Sequence, residues 1–434
     1  MDSLDKSLAN FISSHRDIRR LWVALSGGLD SCVLLHLLAR MEPPVPVQVL
    51  HINHQLSPLA GEWQVHCKTL ADTYGFPFVC ASVEVARDGR GLEMAAREAR
   101  YAAFERHMEP GDMLLMAHHR DDQAETLLLR LLRGTGVRGL GAMVPERPLG
   151  AGLAGRPLLL HSRVELQAYA QAENLQWVED ESNQSGDFDR NYLRLDVLPL
   201  LAKRWPGFTR RWAETAKLAQ QNERLLQEYA TEDLLAANQR QERLGQSVAL
   251  DDLAKLSELR CNALLRYWIQ TCGYRAPEQV HLEQIDQFFT AVEDAQPLLV
   301  WGDCELRRFA GRLYLLPRLA AMTPQNVMWN PVKTLTLADS SRLSAVESSA
   351  GLRADKHYHI SLRQGGERCQ PHNRAHSQTL KKLLQEYQLE PWLRDHIPLI
   401  YAGDQLAAVG DLWVCRDFFT EQAPAWEVVW SYKR

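Results

Sequence analysis

The 434-residue chain has no uninterrupted apolar run of eighteen or more residues, so no membrane-spanning helix is expected. Its first twenty residues, MDSLDKSLANFISSHRDIRR, lack the apolar stretch of a secretory leader. No two of its eight cysteines form a C-x-x-C pair, which argues against zinc ribbons and iron–sulfur clusters. Scattered thiols without a leader point to a reducing cytoplasm. Cationic excess is also lacking. With a net charge of −5, the chain exerts no global pull on nucleic acid, so any polyanion must be held by local basic patches. Glycine and proline are not in excess, which argues against wholesale disorder, and no internal repeat is visible.

What is present fits a soluble, core-forming chain of two to four domains: 46% hydrophobic and 24% charged residues. From about 20 to 200, short apolar runs alternate with helical patterns. Leu21–Leu25, Val47–Ile52, Phe76–Val85 and Met113–Ala117 read as strands. Cys32–Arg40, Gly61–Tyr74, Glu93–Met108 and Asp122–Arg133 read as helices. That alternation predicts an α/β fold with a mostly parallel, doubly wound sheet covered on both faces. The boundaries follow as 1–207 for this domain, 208–318 for a charged helical domain, 319–350 for a linker, and 351–434 for a small α+β domain. In the last block Gly403-Asp404 between two apolar runs signals a hairpin.

Three polar motifs fall at predicted strand ends. The first, SGGLDS (Ser26, Gly27, Gly28, Leu29, Asp30, Ser31), joins a strand to a helix. Its glycines let backbone amides approach a ligand, and the helix start behind them favours an anion. It is neither a G-x-x-x-x-G-K-[ST] nor a G-x-G-x-x-G loop. A carboxylate beside phosphates repels them unless a cation lies between, so Asp30 is the expected Mg²⁺ ligand against a triphosphate. The second, HINHQL, offers His51, Asn53 and His54 to the same nucleotide, because neighbouring parallel strands end together and ligands bind there. The third, HHRDDQAET, carries His118 and sets Asp122 and Glu125 on one helical face. Around them lie Arg97 and Arg100 with Tyr101 adjacent, then Arg130 and Arg133, then Arg190 and Arg194. As clusters these suit RNA, read through its phosphates and through bases stacked on residues such as Tyr101 or Tyr192.

The hexapeptide resembles the signature of the PP-loop ATP pyrophosphatase superfamily, whose fold is adenine-nucleotide alpha-hydrolase-like. The fuller set is SGGLDS, HINHQL, AAREARY, AHHRDDQAETLLLRLLRGTGVRGL, RPLL, EDESNQ and RNYLR, resuming late with LRQGGERCQP, LKKLLQEY and EPWLRDHIPLIYAGDQLAAVG. It resembles one branch, the bacterial tRNA(Ile)-lysidine synthetase family. Glu390 stands where that family often has proline. The resemblance is dense over the first 200 residues and carries no signature in the middle block.

It implies a ligase using ATP and Mg²⁺. ATP adenylates the C2 oxygen of the wobble cytidine in a CAU-anticodon isoleucine tRNA. The side-chain amine of free lysine then displaces AMP, forming lysidine and turning a methionine-type tRNA into an isoleucine tRNA. It further implies catalytic roles for Asp30, His118 and Asp122, and lysine binding by Asp122 and Glu125. Lys381 and Lys382 of the C-terminal helix are assigned to the tRNA backbone, and no obligate protein partner is inferred. Which group removes the proton from the lysine amine, His118 or Asp30, stays open. A tRNA thiolase, which shares the ATP loop but needs suitably spaced cysteines or a cluster, and another PP-loop adenylating synthetase are the alternative readings.

Overall fold

Strand β1 (Arg20–Ala24) is buried over Leu21, Trp22 and Val23 because neighbours cover both of its faces. It is part of a computed structural model that describes residues 3–85, 91–179, 189–292, 295–319, 322 and 326–432. The chain divides into two units, Met1–Leu225 and Leu226–Arg434.

The first unit runs α1 (Ser3–Ser13), β1, α2 (Leu29–Met41), β2 (Val47–Asn53), α3 (Ala60–Thr73), β3 (Phe78–Ser82), α4 (Leu92–His107), β4 (Asp112–Leu115), α5 (Arg120–Leu132), α6 (Val137–Leu140), β5 (Glu146–Leu149), β6 (Gly152–Gly155) and α7 (Arg163–Ala172). There follow α8 (Asp189–Tyr192), a π turn over Leu193–Val197, α9 (Leu198–Arg204) and α10 (Phe208–Ala236). The sheet order is β3-β2-β1-β4-β6-β5. All pairs are parallel except the edge pair β5–β6.

Alternation along each strand divides the core. Leu21, Val23, Val49, Met113 and Leu115 pack with α2 leucines on one face. Trp22, Leu50, Leu114 and Ala154 pack with Tyr101, Phe104 and Met108 on the other. Successive side chains of a strand point oppositely, so a doubly covered strand reads as a continuous apolar run. The order also reverses at β1: the chain steps from β1 to β2 and β3 on one side and returns to β4 on the other. That switch opens a crevice between the carboxyl ends of β1 and β4, where ligands bind in open α/β sheets.

The second unit is richer in strands than the charged pattern suggested. The helical reading holds for Phe208–Ala236 and Glu258–Thr271. Between and after them stand five antiparallel strands in the order Arg240–Gln241, Gln246–Ala249, Arg312–Pro317, Cys304–Phe309, Leu298–Trp301. Leu264, Leu265, Trp268 and Ile269 of Glu258–Thr271 pack onto this sheet.

Residues 319–350, expected as linker, contain Ser341–Ser348, which pairs over eight residues with Ala425–Tyr432. The serines of this strand masked its pattern, and Leu343, the one large core side chain it contributes, is fully buried. Two five-stranded sheets make the C-terminal part, and the hairpin Leu399–Ala402/Gln405–Val409 turns at Gly403-Asp404 with Gly403 at φ 58°.

Candidate active site

The loop after β1 is closed by its own polar groups. The Ser31 hydroxyl donates to Gly28 O at 2.9 Å and lies 3.1 Å from the Ser26 hydroxyl. Gly27 O accepts from Val178 N–H at 2.9 Å and from Cys32 Sγ at 3.3 Å. Gly27 has φ +88°, and a Cβ there would sit 3.0 Å from both Cys67 Sγ and Val178 Cγ2. Only glycine fits that backbone and that gap. No side chain caps α2 at Gly28, so the amides of its first turn remain for a ligand. Leu29 turns into the core, which leaves only its backbone to meet a nucleotide.

His51 is buried, with Nδ1 2.8 Å from Leu25 O, and so ties β2 to the end of β1. Asn53 closes a turn by accepting from Gln55 N–H and donates to Gln64. Of the three HINHQL candidates, His54 is the one with a buried nitrogen, Nδ1, that has no hydrogen-bond partner among the described residues. Burial, then Arg100 and His51, push its pKa down to about 4, so it is neutral at pH 7.

At the end of β4, His119 connects the first and third motifs. Its Nε2 lies 3.6 Å from Asp30 Oδ2 and 3.4 Å from Asp122 Oδ2, and its Nδ1 lies 3.6 Å from Asp121. Burial opposes its charge, but Asp122, Asp30 and Asp121 outweigh burial and raise its pKa. The sequence reading chose His118 and passed over His119. The structure separates the two: His119 directly precedes α5, and Asp122, three residues on, accepts its backbone N–H at 3.0 Å in a capping box. His118 sits beside it with Nδ1 unpartnered among the described residues. Burial first, then Arg156, Arg190 and Arg100, lower its pKa to about 3 against the pull of Asp122. Asp30 Oδ1 is likewise buried with no hydrogen-bond partner among the described residues.

Asp122 and Glu125 do share a face, and they are engaged. Arg190 places Nε 2.6 Å from Glu125 Oε2 and Nη2 2.9 Å from Asp122 Oδ1. Arg194 places Nε 2.6 Å from Glu125 Oε1 and Nη2 3.3 Å from Asp122 Oδ1. Two arginines expected on tRNA phosphates thus neutralise the acids expected on lysine. Burial would raise the Asp122 pKa, yet His119 and Arg190 hold it well below the usual carboxylate range.

A second basic group gathers around Tyr101. Tyr101, expected as an exposed stacking ring, is buried, with the guanidiniums of Arg147, Arg97 and Arg100 at 4.6, 4.9 and 6.0 Å from its ring. Arg156, directly after β6, joins them. Burial pushes the phenol up, but Arg97, Arg156, Arg147 and Arg100 together bring its pKa down.

Arg130 donates to Gly139 O and Ala142 O, and Arg133 pairs with Asp189 at 3.3 Å in an exposed position. Lys381 and Lys382 lie exposed on the helix Leu380–Glu386 of the second unit, with Lys382 3.9 Å from Glu386. The EDESNQ motif, apart from its first residue Glu179, lies outside the described residues. Among the described residues no three His, Cys, Asp or Glu side chains assemble into a metal cluster, and no helix is long and apolar enough to cross a membrane.

A phosphate-binding loop and two further motifs at the switch point of a parallel sheet define a nucleotide-binding α/β enzyme domain. A PP-loop domain description matches residues 1–201, a TilS substrate binding domain description residues 249–314, and a TilS substrate C-terminal domain description residues 358–430. The tRNA(Ile)-lysidine synthase of Serratia proteamaculans is 41% identical over 100% of this chain and 99% of its own length. That of Coxiella burnetii is 38% identical over 95% and 93%. The chain belongs to the tRNA(Ile)-lysidine synthase family. Among solved structures, a U34-tRNA thiolase from Methanococcus maripaludis is similar at 15% identity and a TM-score of 0.42, covering 50% of this chain and 78% of that one. The full-length relatives do not favour the thiolase alternative.

Proposed function

We propose that the enzyme forms lysidine on tRNA: it adenylates the C2 oxygen of the wobble cytidine of a CAU-anticodon isoleucine tRNA with ATP, releasing pyrophosphate, and the side-chain amine of free lysine then attacks C2, so that AMP leaves with that oxygen. The observation that carries this reading is the full-length match to lysidine synthases. The meeting of Asp30, His119 and Asp122 at one crevice supports it.

Ser26–Ser31 would hold the phosphates on backbone amides. The orphaned, buried Asp30 Oδ1 fits Mg²⁺, which in such sites takes one or two carboxylates plus phosphate oxygens and water. When bound it would offset charge on the phosphates. His119 holds Asp30 and Asp122 together. Free lysine carries both a carboxylate and ammonium groups, and the cluster of Asp122, Glu125, Arg190 and Arg194 offers partners for both signs.

The amine must lose its proton before it attacks. His118, neutral and with Nδ1 unpartnered among the described residues, is our candidate acceptor, because phosphates near Arg100 and Arg156 would relieve the positive field that depresses its pKa. Arg97 and Arg100 would hold RNA phosphates, as would Lys381 and Lys382. The enzyme works in the cytoplasm on this reading.

The test is mass spectrometry of isoleucine tRNA after incubation with ATP, Mg²⁺ and isotopically labelled lysine. The label should appear in one cytidine, with one AMP released per label. Pyrophosphate release that needs no tRNA would overturn the reading.

A further inference from the structure

The first unit has a cleft that none of the three motifs uses. It holds about 310 Å³ and is lined by Leu201, Trp205, Phe208, Arg211 and Trp212, at the lower end of the size range of ligand pockets. Its back wall is rigid: Phe208 and Trp212 meet edge to face at 4.9 Å and pack with Leu201 on Ala124 and Leu128 of α5. Its front is Trp205, which is 53% exposed. Trp205 ends α9, with its N–H donating to Leu201 O at 2.7 Å, and Pro206 and Gly207 (φ +75°) turn the chain directly into α10. A large ring is therefore held out into solvent by a stiff turn, where burial gives it no return.

The surroundings narrow the occupant. Lys203–Arg211 carries Lys203, Arg204, Arg210 and Arg211 and no carboxylate. The Arg204 guanidinium lies 5.8 Å from the Trp205 ring, and Arg211 donates to Pro206 O at 2.7 Å within the lining. An aromatic shelf beside Arg204 and Arg211 matches a nucleotide, which brings a flat π face and a phosphate together. An apolar protein segment would match the ring but not the charges. The cleft lies behind α5, on Ala124 and Leu128, whereas Asp122 and Glu125 face Arg190 and Arg194. A helix is about 10–12 Å across, so a base held here is a neighbour of the reacting one, within reach of the same strand.

We propose that this cleft is a subsite for an unstacked nucleobase of the RNA substrate, with Trp205 as the stacking face and Arg204 and Arg211 as phosphate partners. The proposal rests on the RNA reading above.

The experiment compares Trp205→Ala, Trp205→Phe and Arg211→Ala with the unmodified enzyme, measuring tRNA affinity across a salt series together with the KM for ATP. Trp205→Ala should weaken tRNA binding by about tenfold or more. Its salt slope should not change, because stacking releases no counterions. Trp205→Phe should recover most of the loss, and Arg211→Ala should lower the slope by about one. The KM for ATP should hold in all three.

Unaltered tRNA affinity in Trp205→Ala overturns the subsite. So does an equal loss for ATP, which would mark damage to the fold. A change in sedimentation instead would assign the cleft to a second copy of the chain. An unmodified enzyme that fails to bind tRNA would overturn the RNA reading and the subsite with it, a result distinct from the others.

Discussion

Two arginine groups lie at the same rim and are built oppositely. Arg190 and Arg194 each reach both Asp122 and Glu125, so cations and anions are matched two to two. Around Tyr101, by contrast, Arg97, Arg147 and Arg156 have no carboxylate within 4 Å among the described residues. Burial first, then Arg147 and Arg97, lower the pKa of Arg156. Burial first, then Arg138, Arg97 and Arg156, lower that of Arg130. A fold does not gather unmatched guanidiniums for its own stability, since each like-charge approach costs energy. The matched group is structural until a substrate competes for it. Arg97, Arg147 and Arg156 are poised for an anion that no carboxylate among the described residues supplies.

Breaking the matched group should have the largest effect. Glu125 is 1% exposed and accepts from both arginines. Glu125→Gln would leave two half-buried guanidiniums facing one carboxylate. Removing one partner of a buried pair typically costs about 3–5 kcal/mol. Chemical denaturation should show a loss of that size, along with loss of ligation. A variant as stable as the unmodified enzyme would mean that water already screens the cluster.

Asp30 stands between the two cases, with one oxygen facing His119 at 3.6 Å and the other orphaned. Asp30→Ala should lower AMP formation by about a hundred- to a thousandfold, the usual cost of removing one preorganised electrostatic group. tRNA binding should stay nearly intact. Turnover at the unmodified rate would remove Asp30 from the chemistry.

How far these groups were legible in the sequence depended on whether a local pattern fixed them. The sheet was legible because its strands are continuous apolar runs, and the loop was legible because SGGLDS interrupts one of them. His119 was missed because the twin histidines are equivalent in sequence and only the helix start at Arg120 separates them. The pairing of Arg190 and Arg194 with α5 spans more than sixty residues of chain, and no short-range signal carries that. Tyr101 reads as an exposed stacking ring beside arginines, yet its register on α4 faces the core. The strand Ser341–Ser348 was hidden because half of its residues face solvent or are small.

The second unit offers a matched group of its own. Asp339 accepts from Tyr432 at 2.7 Å and pairs with His396 at 3.1 Å, and it accepts from Ser341 N–H at 3.0 Å. Burial would raise its pKa, but His396, Ser341 and Tyr432 hold it down at about 2. A carboxyl depressed in the folded state stabilises above its unfolded value of about 3.9, and that stability is lost as pH falls towards 2. Asp339→Asn should therefore cost about 1–3 kcal/mol at pH 7, and the difference should shrink between pH 4 and 2. A gap that persists at pH 2 would assign the effect to shape and not to charge.

The smallest expected change in stability gives the sharpest reading of the comparison. Arg147 lies over Tyr101 without a carboxylate partner among the described residues, so Arg147→Ala removes repulsion together with some packing. Stability should stay within about 0.5 kcal/mol of the unmodified enzyme or rise slightly. The cost should appear in binding: the slope of log affinity for tRNA against log salt should fall by about one. If the variant instead lost stability and kept its slope, the arginines around Tyr101 would be packing against the sheet for its own sake. The distinction between a matched, structural cluster and an unmatched, ligand-seeking one would then fail at the residue where it is most exposed to test.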